Sequence, residues 1–306
     1  MVVGSLASLR SALNKKRDSD KNVGVIDSDA LGNFADINVA ESLRRISGIS
    51  VENDQGEGRY VTVRGMNADL NAMTINGVST ASPEDRRGVI LDGVPTDLLE
   101  SMTVYKTLTP NLDADTIGGA IDLETISAFS YGPNFTKFKA ETSRNDLTKD
   151  NSNPKLSGTY TTVIPQENGD LGIAFVISSQ ERHIMADNNE TGGWGSNYVN
   201  DDYEMRYYDL TRERDGIVLN LDYVSNSGSK TYLHAFHNEY VDTEYRAKWE
   251  VRDVMEEYTP TISGTVATYG ASRMDTEGKN RTEIRSIDNL ATVSYTHLTL
   301  PTKRIV

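Results

Sequence analysis

Four aromatic side chains (Phe34, Tyr60, Tyr105 and Phe129) precede Ser130, and nineteen follow it. That imbalance divides the chain near Gly132-Pro133, a dipeptide that ends any regular element. Beyond the break, Ile217, Leu219, Leu221 and Tyr223 alternate with Val218, Asn220, Asp222 and Val224. A period of two marks a strand with two different environments. Residues 155–163, 171–179 and 230–240 read as further strands of about nine to eleven residues, the length that crosses a membrane as part of a barrel. Between them lie long polar loops such as 187–202. A soluble antiparallel sheet fits the same periodicity equally well.

The chain carries 31 basic and 45 acidic side chains among 306 residues, a net charge of −14. Such a surface repels phosphate backbones, so no nucleic acid is expected as a partner. The hydrophobic share of 37% falls below the ~45–50% of an ordinary soluble domain, a first sign that the core is not built in the ordinary way. With no cysteine, disulfides, thiolate zinc sites and cysteine nucleophiles are excluded. The longest apolar run, 171–177, is far short of the ~18 residues of a spanning helix. No basic start or apolar core of a signal peptide is visible after Met1, and the chain is expected to be truncated at this end.

Catalytic and metal chemistry find no support. His234 and His237 lie three apart in an expected strand and therefore point to opposite faces. Asp113 and Asp115 lack the terminal glutamate of a calcium loop. No Gly-x-Ser-x-Gly, phosphate-binding loop or zinc spacing occurs, so no catalytic residue, metal or cofactor is expected and the chain does not read as an enzyme.

The first part reads as a small α+β unit. Asn38-x-x-Glu41 forms a capping box, followed by Val39, Leu43 and Ile46 on one helical face until Gly48. Asp97-x-x-Glu100 repeats the pattern after Pro95 and predicts a second helix. Residues 5–16, with Leu6, Leu9 and Leu13 in register, predict a third. Residues 60–64 and 72–75 predict strands, the latter running into Asn76-Gly77, a strong hairpin signal.

Five motifs in this part resemble the plug domain of TonB-dependent outer-membrane receptors. They are Asn38-Val-Ala-Glu-Ser-Leu-Arg-Arg-Ile-Ser-Gly-Ile-Ser-Val51, Gly58-Arg-Tyr-Val-Thr-Val-Arg-Gly65, Thr74-Ile-Asn-Gly-Val78, Leu98-Leu-Glu-Ser-Met-Thr-Val-Tyr-Lys106 and Asp115-Thr-Ile-Gly-Gly-Ala-Ile-Asp122. The segments Asp54-Gln-Gly-Glu-Gly-Arg59 and Leu108-Thr-Pro-Asn-Leu-Asp113 look most like the Xanthomonas- and Caulobacter-type branch, often linked to carbohydrate uptake. The resemblance implies an α+β plug domain over residues 1–129, followed over 130–293 by antiparallel β strands of an incomplete transmembrane β-barrel. It also implies a Gram-negative outer-membrane location and contact with outer-membrane lipid. The expected partners are the TonB energy-transducing complex and a small-molecule or oligosaccharide ligand, in a family that also takes up siderophores. The runner-up is a secreted or periplasmic β-rich binding protein without transport activity.

A complete family barrel has twenty-two strands. About 177 residues follow Phe129, whereas twenty-two strands need at least roughly 200 before any loop. The chain therefore reads as a fragment with room for eight or nine strands. Its ending, residues 294–306, resembles the tail of translations that run into sequencing adapter and is expected to be non-native. At the other end, Val2, Val3 and Gly4 resemble the end of the extended TonB box, which a partner grips as an added strand.

Within such a plug, Glu41, Arg44, Arg45, Arg59, Arg64 and Glu100 are expected to meet charges on the inner wall. Three apical segments are expected to line the ligand cavity: residues 54–59, 67–71 and 79–88. Their polar contents are Asp54, Gln55, Glu57, Arg59, Asn67, Asp69, Asn71, Ser82, Glu84, Asp85, Arg86 and Arg87. Five acids against three arginines favour a neutral glycan or other polar organic nutrient over an anionic iron chelate, with any aromatic platform coming from the barrel.

Overall fold

The computed structural model describes residues 3–28, 38–80, 82, 84, 86–110, 112, 116–131, 133–149, 152–194, 202–252, 261–268 and 275–297. Helix α1 (Val3–Asp18) opens the chain. Its Leu9 and Leu13 are exposed; it is held instead by Lys15, whose Nζ lies 3.4 Å from Asp27 and 3.6 Å from Glu124. Strand β1 (Val23–Asp27) follows, then helix α2 (Val39–Leu43). The Asn38 side chain caps α2 by accepting the Glu41 amide at 3.1 Å. Glu41 does not complete the box by folding back on Asn38: its Oε1 accepts the Gly58 amide at 2.8 Å, fastening the helix to the next hairpin.

That hairpin pairs β2 (Ile49–Asp54) with β3 (Glu57–Val63). Strands β4 (Asn71–Ile75) and β5 (Val78–Ser79) form a second. Their turn residues Asn76 and Gly77 both take positive φ, 51° and 78°, the twist that matches right-handed strands. Strands β6 (Leu99–Tyr105) and β7 (Gly119–Thr125) complete a sheet of order β1-β6-β7-β4-β5, in which β4 and β7 run parallel. The helix expected at Asp97-x-x-Glu100 is not formed. A single 3-10 turn, Thr96–Leu98, leads directly into β6, because Leu99, Met102 and Val104 are buried by joining the sheet.

Helix α3 (Ala128–Tyr131) links this unit to strands β8 (Phe135–Ser143), β9 (Asn153–Gln166), β10 (Gly169–Thr191), β11 (Tyr203–Ser225) and β12 (Lys230–Arg252). A small hairpin of β13 (Thr261–Ser263) and β14 (Val266–Thr268) precedes β15 (Asp275–His297). The large strands make one antiparallel sheet of order β15-β12-β11-β10-β9-β8. Four of them are 23 residues long, about twice the expected length, because the alternation continues through charged positions once the apolar ones end. Longer strands consume chain, so this sheet has six members among the described residues instead of eight or nine. Residues 294–297 continue β15 in register with 230–233; residues 298–306 lie outside the described set.

Side-chain alternation gives the sheet two faces. On one, Ala174, Val176, Val218 and Phe236 join a single buried core with Leu98, Leu99, Met102 and Ile126 of the N-terminal unit. On the other, Tyr160, Phe175, Ile177, Ile217, Leu219 and Leu233 are exposed. Short turns, 167–168 and 226–229, close one end of the sheet, and longer connections leave the other.

Candidate functional site

The tip of the β2–β3 hairpin is driven into the large sheet. Gln55 and Gly56 turn with φ of 50° and 84°, delivering Glu57 into complete burial. Its Oε1 lies 2.6 Å from Arg182 Nη1 on β10, and its Oε2 lies 2.7 Å from Arg212 Nη1 and 2.6 Å from Arg214 Nη2 on β11. Burial pushes the Glu57 carboxyl up, but Arg214, Arg212 and Arg182 together outweigh it and hold it down at about 2. Beside it, Gln55 accepts from Arg212 Nη2 at 2.6 Å and donates to Glu244 on β12.

A second row of contacts runs down the wall. Arg214 Nε donates to the Asp92 carbonyl at 2.6 Å, and Asn238 Nδ2 donates to the Gly93 carbonyl at 3.1 Å. The Tyr240 hydroxyl donates to Asp92 Oδ2 at 3.3 Å. Burial raises the Asp92 carboxyl despite the nearby Arg212, Arg59 and Arg214. Asp97 is likewise buried, but Lys155 at 2.6 Å and Lys139 at 3.5 Å hold it below the usual range. Toward the short-turn end, Asn220 Nδ2 donates to Thr125 Oγ1 and the Ile126 carbonyl, and Ser127 donates to Asp222.

The apical loop after β5 is fastened to the same hairpin. Glu84 accepts from both Arg59 and the Tyr60 hydroxyl, and Arg285 Nη1 of β15 stands 3.7 Å away. Burial first, and the bond to Glu84 second, push the Tyr60 phenol up to about 12. Arg86 stacks 4.1 Å over the Tyr60 ring and donates to Asp69 Oδ1 at 2.9 Å, which also accepts the Gly88 amide at 2.8 Å. The Asp69 carboxyl is lowered, chiefly by its Arg86 hydrogen bond.

Of the twelve residues expected to line a ligand cavity, Asp54, Gln55, Glu57, Arg59 and Glu84 fall in one continuous network with the wall, and Asp69 and Arg86 adjoin it. Three are buried. Glu57 is sealed between hairpin and wall, and Arg59 is buried between Asp54, at 2.6 Å, and Glu84. Asn71 is buried at the start of β4, where its Nδ2 donates to the Val61 carbonyl at 3.0 Å. Asn67 caps a 3-10 turn through the Asp69 amide, and Ser82 accepts the Glu84 amide at 3.3 Å. Arg87 is exposed, and Asp85 lies outside the described residues.

Three of the six expected wall contacts fall elsewhere. Arg44 bonds Glu41 and Asn53, Arg64 bonds the Gly118 carbonyl, and Glu100 takes the Ser127 amide and Ser130 hydroxyl. Their positions flank α2, β3 and β6, away from the hairpin tip that reaches the sheet. Val3 and Gly4 open α1 in place of an extended box, since the helical spacing of this segment begins there; Val2 lies outside the described residues, as do Asp113 and Asp115. The wall residues Arg182, Arg212, Arg214, Asn220, Asn238 and Tyr240 were not anticipated. Their signal was Arg212-Glu-Arg214, two guanidinium groups on the face that carries Val218 farther along.

Beyond the contact with the N-terminal unit, toward the longer connections, the same face carries rows of alternating sign. Arg206 pairs with Glu190 and Glu204, and Lys248 Nζ lies 3.0 Å from Glu204 and 2.7 Å from Glu250. Glu277 holds Arg252 and Lys279, each at 2.7 Å. Arg281 pairs with Glu244 at 2.9 Å and Glu283 at 2.5 Å. Among the described residues no group of three or more potential metal ligands occurs.

Residues 15–120 match the protein family described as the TonB-dependent receptor plug domain. Among solved structures, the chain is similar to a double mutant of the ferric enterobactin receptor from Pseudomonas aeruginosa, at 11% identity and a TM-score of 0.44, covering 91% of this chain and 47% of that one. It is similar to the siderophore receptor PirA from Acinetobacter baumannii at 14% identity and a TM-score of 0.43, covering 89% and 45%. The alcaligin outer-membrane receptor FauA from Bordetella pertussis gives 9% identity and a TM-score of 0.43, covering 92% and 51%. The chain thus spans about half the length of these structures. No curated protein matches it in sequence.

Proposed function

We propose that this chain, whose residues 15–120 match the TonB-dependent receptor plug domain, serves in the outer membrane of a Gram-negative bacterium as a ligand-gated importer of a scarce, bulky nutrient. In this reading β8–β12 and β15 are wall strands in outer-membrane lipid, the N-terminal unit blocks the path, and the TonB energy-transducing complex moves it. One observation carries the reading. The sheet holds the plug on one face through buried ion pairs and presents Tyr160, Phe175, Ile177, Ile217 and Leu219 on the other. From Leu171 to Ile177 that band runs ~20 Å at ~3.3 Å per residue, of the order of the ~25 Å apolar belt of an outer-membrane barrel. A soluble binding protein would leave the band in water, which disfavours that alternative.

The apical charges support a finer reading of the nutrient. Arg59 and Arg86 are fully engaged by the three carboxylates of Asp54, Asp69 and Glu84. They leave no basic rim for a highly charged ferric chelate, and favour a polar nutrient of low net charge, such as an oligosaccharide. The motif at Asp54–Arg59, similar to the Xanthomonas- and Caulobacter-type branch, points the same way. The test is uptake of labelled oligosaccharides and ferric siderophores by the source strain, by a strain lacking this chain and by one lacking TonB. Loss of the same substrate in both deletions is expected; uptake that survives removal of this chain would overturn the reading. Replacing residues 84–87 with Gly and Ser in the receptor then tests the apical loop, with weakened binding of that substrate expected.

A further inference from the structure

Among the described residues, one cation on the wall beyond the plug has no counter-charge within ion-pair distance. Arg206, Lys248, Arg252, Lys279 and Arg281 each touch a carboxylate there. Arg246, on the same face of β12, touches none among the described residues, and its Nε is shielded from solvent without a hydrogen-bond acceptor. Strand register sets Arg246 opposite Tyr208 on β11 and opposite Arg281 on β15. Like charges placed directly across an antiparallel pair repel. Glu244, two residues away on the same strand, is bonded instead to Arg281 and Gln55. The neighbouring wall is a buried cluster of Ile184, Tyr208 and Leu210, with Ala186 packed against it. Such a backing lowers the local dielectric and strengthens an ion pair formed over it.

We propose that Arg246 is an anchoring site for a carboxylate on the imported molecule. A carboxylate can accept two parallel bonds from a guanidinium, and the incoming charge also cancels the repulsion between Arg246 and Arg281. The imported molecule is then a polar compound of low charge with one carboxylate, of which an acidic sugar is the simplest chemical class. Assigning that carboxylate to imported cargo rests on the transport reading; the anion site rests on the geometry alone.

The experiment is thermal unfolding of the full chain in detergent micelles, with sodium glucuronate, sodium acetate or sodium chloride at equal ionic strength. For the unaltered chain, both carboxylates raise the melting temperature above the chloride value. In Arg246→Gln the carboxylate-specific shift disappears, an apparent affinity loss of about tenfold or more, while the melting temperature in chloride alone holds or rises because a like-charge contact is gone. Arg246→Lys keeps part of the shift, and it carries the test if the glutamine variant does not fold. An equal carboxylate shift in Arg246→Gln, or none beyond chloride in the unaltered chain, overturns the proposal. A shift that depends on Arg246, in a chain whose deletion leaves uptake intact, keeps the anion site and removes the transport reading.

Discussion

Leu98 of the plug fills the space where a side chain on Gly216 would begin: a Cβ there would stand 2.4 Å from Leu98 Cδ1. Leu98 and the neighbouring Val218 are both fully buried in the core that plug and wall share. We therefore expect Gly216→Val to lift the plug from β11 and cost about 1–3 kcal/mol, in line with overpacked cores. Denaturant unfolding of the full chain in micelles measures it, and limited proteolysis would show earlier cleavage within residues 3–128. Unchanged stability would mean that Leu98 moves aside freely.

The Glu57 cluster gives the plug a pH-dependent seat. Its folded value of about 2 lies below the ordinary 4.5. The stabilisation is thus complete above about pH 4.5 and is lost as pH falls through 2, amounting to about 3 kcal/mol when integrated over that shift. Glu57→Gln should abolish this acid-side dependence and cost about 3–5 kcal/mol, because three guanidinium groups lose their buried partner. Unfolding curves between pH 2 and 6 for both chains test the expectation.

How much of this was legible in the sequence depends on the range of the forces involved. Asn76-Gly77 announced its hairpin and Asn38 its helix cap, since both act within a few residues. Asp97 misled for the opposite reason: a plausible cap was overridden by burial of Leu99, Met102 and Val104 in the sheet and by the distant Lys155. Glu57 stood among the candidates, but its role was hidden because its partners lie more than a hundred residues away, at Arg182, Arg212 and Arg214. Strand ends were obscured as well. A run of charge upon charge, as in Arg212-Glu-Arg-Asp215, carries no hydrophobic contrast from which to read a period.

The turn at Gly77 offers a more local check. Its φ of 78° strains any residue bearing a Cβ, so Gly77→Val should cost about 1–2 kcal/mol. The same unfolding assay reads this, and an unaffected midpoint would show that the β4–β5 hairpin is not part of the cooperative unit.

The outward band makes a prediction about lipid. Phe175 lies on the exposed face between Ile173 and Ile177, opposite Leu219 in register. Phe175→Lys should destabilise the chain in phospholipid vesicles by about 2–4 kcal/mol, the cost of a lysine near the bilayer midplane. In urea-containing buffer without lipid it should improve solubility. A substitution neutral in vesicles would place this face away from hydrocarbon.

The length of β10, β11, β12 and β15 bears on how the molecule moves. A strand of 23 residues is about 76 Å long at ~3.3 Å per residue, while the apolar band occupies only its short-turn end. Past Arg182 the ladder hydrogen bonds have neither the shared core nor the outward apolar band beside them, and apart from the small cluster of Ile184, Tyr208 and Leu210 the inner face carries ion pairs between neighbouring rows. Amide hydrogens there should exchange with solvent far sooner than those between Leu171 and Ile177, because local opening is easiest where little apolar surface is buried. The wall is thus one continuous sheet with two expected lifetimes: a lasting base that grips the plug, and a rim whose hydrogen bonds open and reclose sooner.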